Sequence, residues 1–277
     1  MSKYCEAVAR GRETYMKKQD MAIAVISFDK YSDIWDIFAK CINTFWSDRT
    51  YNTYLVTNEA CPTYQGIHVL ATGREFSWSH RVRTALDAIQ EDYILLLLED
   101  YLISEKVDNL QMEEALRHMK EMDLDYLRIV PIPKIKGSKR KKIVAITSKM
   151  VYGVNLQAAI WKKEYLLKTL SDKHFSAWEF EARQKFGEAT RVEGKCYASN
   201  DFVIKYLNGI IQGKWYKKTL DNFSSMGIKI SLGERAVMSN KDMLRENVRN
   251  FFLHHIPPRI ICTLKPIAQK MGFKFVT

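Results

Sequence analysis

No apolar run in this sequence is long enough to cross a bilayer. The longest, Tyr93 to Leu98, falls far short of the roughly 20 residues a spanning helix needs. The first 20 residues (MSKYCEAVARGRETYMKKQD) lack the apolar core of a signal peptide, so none is expected. Cysteine is scattered and odd in number (Cys5, Cys41, Cys61, Cys196, Cys262) and no CxxC occurs. That pattern argues for a reducing compartment and against a structural zinc site. With 12 glycines and 6 prolines, a collagen-like or linker-dominated chain is excluded. No GxGxxG follows the first apolar run and no GxxxxGK[ST] is present, which disfavours a standard dinucleotide fold and a P-loop ATPase. The absence of GxSxG disfavours an α/β-hydrolase. Six histidines show no HExxH spacing, and nothing local supports Cys-His catalysis.

What is present is ordinary globular composition: 47% hydrophobic and 27% charged residues over a chain of 277. The net charge of +11 calls for a polyanionic neighbour: nucleic acid, an anionic membrane face or a phosphorylated substrate. Met21–Phe28 (MAIAVISF) reads as a strand buried on both faces. A DKYSD turn follows, then apolar residues at helical spacing over Ile34–Phe45. Strands are expected at 51–57, 67–70, 93–98 and 126–132, with helices from a Ser77 or Ser79 cap to Gln90 and over 109–122. This alternation predicts a mostly parallel α/β sheet covered by helices on both sides. Beyond it, 134–142 (KIKGSKRKK) is strongly basic. A strand pair is expected over 143–154, helices over 156–170 and from Ser176, and a hairpin or tight loop over Asn208–Trp215. Ser239–Thr277 carries seven cations against two acids, a net +5, interleaved with Phe251, Phe252, Ile256 and Ile260. A basic amphipathic tail of this kind suits an anionic membrane surface, or packs as a helix pair on the domain.

The most informative stretch is Tyr93–Ile103 (YILLLLEDYLI). Its buried strand delivers Glu99 and Asp100 to the lip of the sheet, where open α/β sheets bind ligands. Paired carboxylates there suit a divalent cation that neutralises a diphosphate.

The order of elements around this acidic pair resembles a GT-A glycosyltransferase, specifically the bacterial transferases of capsule and O-antigen polysaccharide biosynthesis. The likeness is carried by AVISFDKYSDIW (24–35), YLVTNE (54–59), YILLLLEDYLI (93–103), LQAAIWKKEYLLKTL (156–170) and SAWEFE (176–181). It implies a transferase domain over 1–235, with a nucleotide-sugar half over about 20–130 and an acceptor half over about 131–235. Residues 236–277 then form a basic C-terminal extension. It also implies a nucleotide-sugar donor and a lipid-linked saccharide acceptor. The place would be the cytoplasmic face of the membrane, with no nucleic-acid partner. Ser27, Asp29 and Tyr31 would contact the base or ribose, and Trp78, Arg81 and Arg83 the diphosphate. The family's metal motif is Asp-x-Asp. Here the sequence reads Glu99-Asp100-Tyr101, so Mg²⁺ or Mn²⁺ would rest on Asp100 and Glu99, or the reaction runs without metal.

The resemblance places the general base of an inverting transferase at the SAWEFE helix start, on Glu179 or Glu181. Glu179 shares a helical face with Ala182 and Phe186, and Glu181 with Gln184, Lys185 and Glu188, so Glu179 is expected to be the more buried base. Gln157, Trp161, Trp178 and Trp215 would border the acceptor, Trp215 as an exposed residue beside Gly213. Two other readings stand beside this one. A basic RNA- or membrane-binding protein explains the charge but gives Glu99, Asp100 and Glu179 no role. A nucleotidyltransferase usually carries a Gly-rich, cationic loop after the first strand, which Ser27–Tyr31 does not supply.

Overall fold

A computed structural model of the chain describes residues 19–74, 77–135, 142–147, 150, 153–170, 174–185 and 193–246. The expectations for 1–18, for most of the basic stretch (136–141) and for the tail beyond residue 246 lie outside the described residues. The chain divides into two compact units, 1–207 and 208–277.

The first unit is built on an eight-stranded sheet. Its elements in chain order are β1 (Met21–Ile26), α1 (Ser32–Phe45), β2 (Asn52–Thr57), β3 (His68–Ala71) and α2 (Trp78–Ala88). There follow β4 (Tyr93–Leu98), β5 (Tyr101–Ile103), α3 (Asn109–Glu121), β6 (Tyr126–Arg128) and β7 (Ile143–Ala145). The unit ends with β8 (Ala159–Lys162), α4 (Lys163–Leu170), α5 (Ala177–Lys185), β9 (Cys196–Ser199) and β10 (Tyr206–Asn208), which straddles the unit boundary. The strand order is β3-β2-β1-β4-β8-β6-β9-β7. Four of the seven neighbouring pairs are parallel, and β8 runs antiparallel to both β4 and β6. This is the α/β sheet with flanking helices that the alternating pattern called for.

β1 shows why. All six of its residues are buried, as the unbroken apolar run requires of a strand covered on both faces. Ala22, Ala24 and Ile26 pack with Trp78, Val82 and Leu86 of α2, Leu166 and Leu170 of α4, and Phe180 of α5. Strand alternation sends Ile23 and Val25 to the opposite face. Ser77 caps α2 by accepting from His80 N. Ile26 lies opposite both Val56 and Leu98 in register, so β1, β2 and β4 end level with one another. The residues that follow, from Ser27, Asn58 and Glu99, therefore emerge at one edge.

The helix expected over 156–170 is instead strand β8 followed by α4. Ala159, Ile160 and Trp161 sit in the middle of the sheet, paired with β4 and β6, where both faces are buried. A short apolar run buried on all sides has no period that separates strand from helix. Of the strand pair expected over 143–154, β7 is the described strand.

The second unit contains the hairpin β11 (Ile210–Ile211) and β12 (Lys214–Trp215), and helix α6 (Lys217–Ser225). Gln212 and Gly213 take positive φ at its turn, the conformation a two-residue hairpin loop demands. Among the described residues no helix is long and apolar enough to cross a membrane.

Candidate active site at the carboxyl edge of the sheet

At the end of β1, Asp29 ties two loops together. Its Oδ1 accepts from Asn58 N at 2.9 Å, and its Oδ2 accepts from Glu59 N at 3.0 Å and Ala60 N at 3.1 Å. Asn58 Oδ1 in turn accepts from Asp29 N at 3.2 Å. The carboxylate expected to meet a base or ribose thus holds three backbone amides of the loop after β2. Ser27 is likewise committed: it is buried, and its hydroxyl accepts from Trp35 Nε1 at 2.7 Å. Tyr31 stays half-buried, with its ring 4.8 Å from that of Phe28. The Arg81 guanidinium lies 5.3 Å over the same Phe28 ring, which puts this buried cation beside the β1 loop. Arg83 points elsewhere, donating at 3.4 Å to Leu167 O of α4.

The second cluster forms around Tyr101, directly after the Glu99-Asp100 pair. Its ring stacks on Tyr206 with centroids 4.3 Å apart. Its hydroxyl donates to Leu156 O at 3.1 Å and accepts from Gln157 Nε2 at 3.2 Å. Tyr206 donates to Gln157 Oε1 at 2.6 Å. Gln157, expected at the acceptor border, is therefore the bridge between two phenols. Burial raises the Tyr101 pKa far above its usual value, and the charges of Tyr206, Asp100, Glu181 and Glu99 add to the shift. Three carboxylates that the sequence singled out thus act on this one phenol: Glu99, which is buried, Asp100, which is half-buried, and Glu181.

The two glutamates of α5 exchange their expected environments. Glu179 is exposed and closes a capping box: Ser176 N donates to Glu179 Oε2 at 2.6 Å and Glu179 N donates to Ser176 Oγ at 3.2 Å. Those bonds hold its pKa below the usual carboxylate value. Glu181 turns inward, and its Oε1 accepts from Leu156 N at 2.9 Å. Withdrawal of this carboxyl from water raises its pKa, with the Leu156 bond opposing the rise. On the face taken for solvated, Gln184 is buried and Glu181 half-buried.

The loop that presents Leu156 is anchored by Arg128, fully buried at the end of β6. Its guanidinium donates to Gly153 O at 2.8 Å, Pro133 O at 2.7 Å and Val130 O at 3.1 Å. Three of the tryptophans expected at ligand surfaces belong to cores instead. Trp161 is completely buried in the central strand. Trp78 packs 5.2 Å from Phe180. Trp215, expected to be exposed, is fully buried in the second unit, where its Nε1 donates to Leu232 O. Trp178, 62% exposed, is the one available as a platform. Tyr101, Tyr206 and Arg128 were not anticipated. Tyr101 lies within the informative YILLLLEDYLI stretch, whereas nothing local marks Tyr206.

Among the described residues no group of three or more His, Cys, Asp or Glu side chains converges as a metal site. Asp100 and Glu99 fit a narrower role, since Mg²⁺ is commonly held by one or two carboxylates together with substrate phosphates. Burial pushes the Cys41 thiol up to about 12, which leaves it inert as a nucleophile.

No family model matches this chain, and no curated protein does. Solved structures similar to it include Staphylococcus aureus TarS, at 12% identity, covering 89% of this chain and 46% of that one, with a TM-score of 0.45. Another is a Desulfovibrio desulfuricans G20 protein described as a nucleotide-diphospho-sugar transferase, at 9% identity over 86% of this chain and 100% of that one, TM-score 0.44. A third is the bifunctional IspDF of Campylobacter jejuni, at 9% identity over 69% and 52%, TM-score 0.40. The chain spans about half the length of TarS and of IspDF. With every one of these TM-scores below 0.5, the fold assignment rests on the sheet order and register of this chain itself.

Proposed function

We propose that this chain is a glycosyltransferase that moves a sugar from a nucleotide-sugar donor to a hydroxyl of a saccharide acceptor, with Glu181 as general base. The observation that carries the reading is Glu181 itself. Its carboxyl is withdrawn from water and oriented by Leu156 N, and it acts, as Asp100 does, on the Tyr101 phenol. A carboxylate with a raised pKa is the group that takes a proton from an alcohol near neutral pH.

In this reading the acceptor O–H proton passes to Glu181. The acceptor oxygen forms its bond to the anomeric carbon as the bond from that carbon to the diphosphate oxygen breaks, and the configuration inverts. The nucleoside diphosphate leaves with the electron pair. Mg²⁺ or Mn²⁺ held by Asp100 and Glu99 would neutralise the departing diphosphate. Arg81, beside Phe28, supplies positive charge on the donor side. Tyr31 and Trp178 offer aromatic faces to base and sugar. The stretches quoted from the sequence support a lipid-linked acceptor in bacterial surface-polysaccharide synthesis, and the basic tail supports work at a membrane face.

The test is nucleotide release by wild type, Glu181→Gln and Glu179→Gln, read as nucleoside diphosphate from UDP-, GDP- and dTDP-sugars and as CMP from CMP-sugars. Glu181→Gln is expected to lower transfer by about 10²–10⁴-fold with donor binding retained, the usual worth of a positioned base. Glu179→Gln is expected to remain active. Turnover retained in Glu181→Gln refutes the assignment. Pyrophosphate release from a nucleoside triphosphate and a sugar phosphate would mark a nucleotidyltransferase instead.

A further inference from the structure

At the opposite edge of the sheet, where β2 and β3 begin and α1 ends, lies a separate cavity of about 350 Å³. Asn43, Ser47, Tyr51, Asn52 and Gln65 are among its lining residues. Arg49 and His68 also line it, and no carboxylate does.

The walls are cross-tied. Arg49 donates to Trp46 O at 3.1 Å, Gly66 O at 3.0 Å and Thr53 Oγ1 at 3.0 Å. Asn43 Nδ2 donates to Gln65 O at 3.0 Å. Gly66 has φ of +67°, and a Cβ there would come 3.1 Å from Arg49 Nη2, so glycine is what lets this loop close on the guanidinium. Asn52 Nδ2 is fixed on Glu91 Oε1 at 2.6 Å, while Glu91 Oε2 sits in a side chain only 1% exposed with no hydrogen-bond partner among the described residues. By contrast, the Ser47 and Gln65 side chains and the Tyr51 hydroxyl make no hydrogen bond to another described residue.

We infer that this cavity binds a neutral polyhydroxylated ring, that is, one monosaccharide unit. Four features carry the inference. The volume sits at the lower end of the range for small-ligand sites, about 300–1,000 Å³. Amide and hydroxyl groups that both donate and accept match sugar hydroxyls, which do the same. Tyr51 brings an aromatic ring for the C–H face of a sugar, as amphipathic side chains do at saccharide and other mixed surfaces. The Arg49 guanidinium already donates to three protein oxygens, and with no carboxylate in the wall a cationic ligand has no partner. The site lies at the far end of the strands from Glu181, so it is independent of the catalytic reading and would engage a saccharide outside the reacting unit.

Saturation-transfer NMR on the full chain tests it, with glucose, galactose, mannose and N-acetylglucosamine as probes and inorganic phosphate as competitor. Three variants accompany wild type: Ser47→Trp, which fills the cavity from an exposed position, Gln65→Ala, and Glu181→Gln. The expected result is transfer to at least one sugar, affinity weakened at least tenfold by Ser47→Trp and measurably by Gln65→Ala. Binding should be unaffected by Glu181→Gln or by phosphate. The Gln65→Ala result stands alone if Ser47→Trp melts early. The proposal is overturned by no transfer to any of the four sugars, by binding that survives both cavity variants, by loss in Glu181→Gln, or by displacement with phosphate. A failed catalytic assay with sugar binding intact would refute the proposed reaction and leave this site standing.

Discussion

Replacing Asp29 separates a structural role from a ligand-binding one. The sequence pointed this carboxylate at a nucleotide, yet its two oxygens accept three amide bonds from Asn58, Glu59 and Ala60. Hydrogen bonds to a charged group contribute about 1.5–3 kcal/mol each where water is excluded. Asp29 is half-buried, so part of that is returned when freed amides meet water. Taking about 1 kcal/mol per bond, Asp29→Ala should destabilise the fold by about 2–4 kcal/mol. At about 2–4 °C per kcal/mol for a unit of this size, the melting temperature should fall by roughly 5–15 °C. Asp29→Asn is the sharper probe. It keeps one oxygen for Asn58 N but sets an NH₂ against the amides of Glu59 and Ala60, so it should lose most of the same stability. Urea unfolding followed by circular dichroism measures the loss, and calorimetric titration with UDP measures the affinity. If Asp29→Asn unfolds within about 0.5 kcal/mol of wild type and yet loses nucleotide affinity, the carboxylate serves the ligand and the argument from its three amides is wrong.

The raised pKa of Glu181 has two consequences of opposite sign. Between the unfolded and folded pKa values the native chain binds more protons than the unfolded chain. Stability is therefore full below the unfolded value, near pH 4.3, and is lost as pH rises through the folded one. Glu181→Gln should match wild type in melting temperature near pH 4 and exceed it at pH 8, and the acid limb of kcat/KM should lie above ordinary carboxylate pH. Equal melting curves at both pH values would contradict the burial of this carboxyl. Arg128→Lys leaves at least one, and by reach two, of the Val130, Gly153 and Pro133 carbonyls without their donor. It should destabilise by about 2–5 kcal/mol in urea unfolding, and a loss under 1 kcal/mol would show that the loop stands without it. Asp100→Asn should weaken binding of a nucleoside diphosphate in Mn²⁺ but not in EDTA; an affinity unchanged in Mn²⁺ would take the cation away from this pair.

The alternation of β1, α1, β2 and the following elements was legible because β1 and β4 are continuous apolar runs bounded by turn residues. A strand buried on both faces leaves few other readings when helical periods lie on either side. The same logic failed over 156–170, where β8 is only four residues long and Trp161 looks identical in a buried strand and a buried helix. Glu99 and Asp100 were legible because a strand of four leucines must end at the lip of the sheet. Tyr206 was not, since its stacking on Tyr101 is a product of chain return and leaves no local mark. The exchange of Glu179 and Glu181 is different in kind, because the information was present. Ser176-Ala-Trp-Glu179 is a capping-box pattern, and it commits Glu179 to the backbone at the helix start. Two residues on, a helix has turned by about 200°, so Glu181 must leave on nearly the opposite side. Phe180 and Gln184 flank that side and are buried. Weighing side chains by polarity made Gln184 a sign of solvent. Weighing them by what the cap requires turns the Glu181 carboxyl inward to Leu156 N, half-buried, where loss of water makes it more basic.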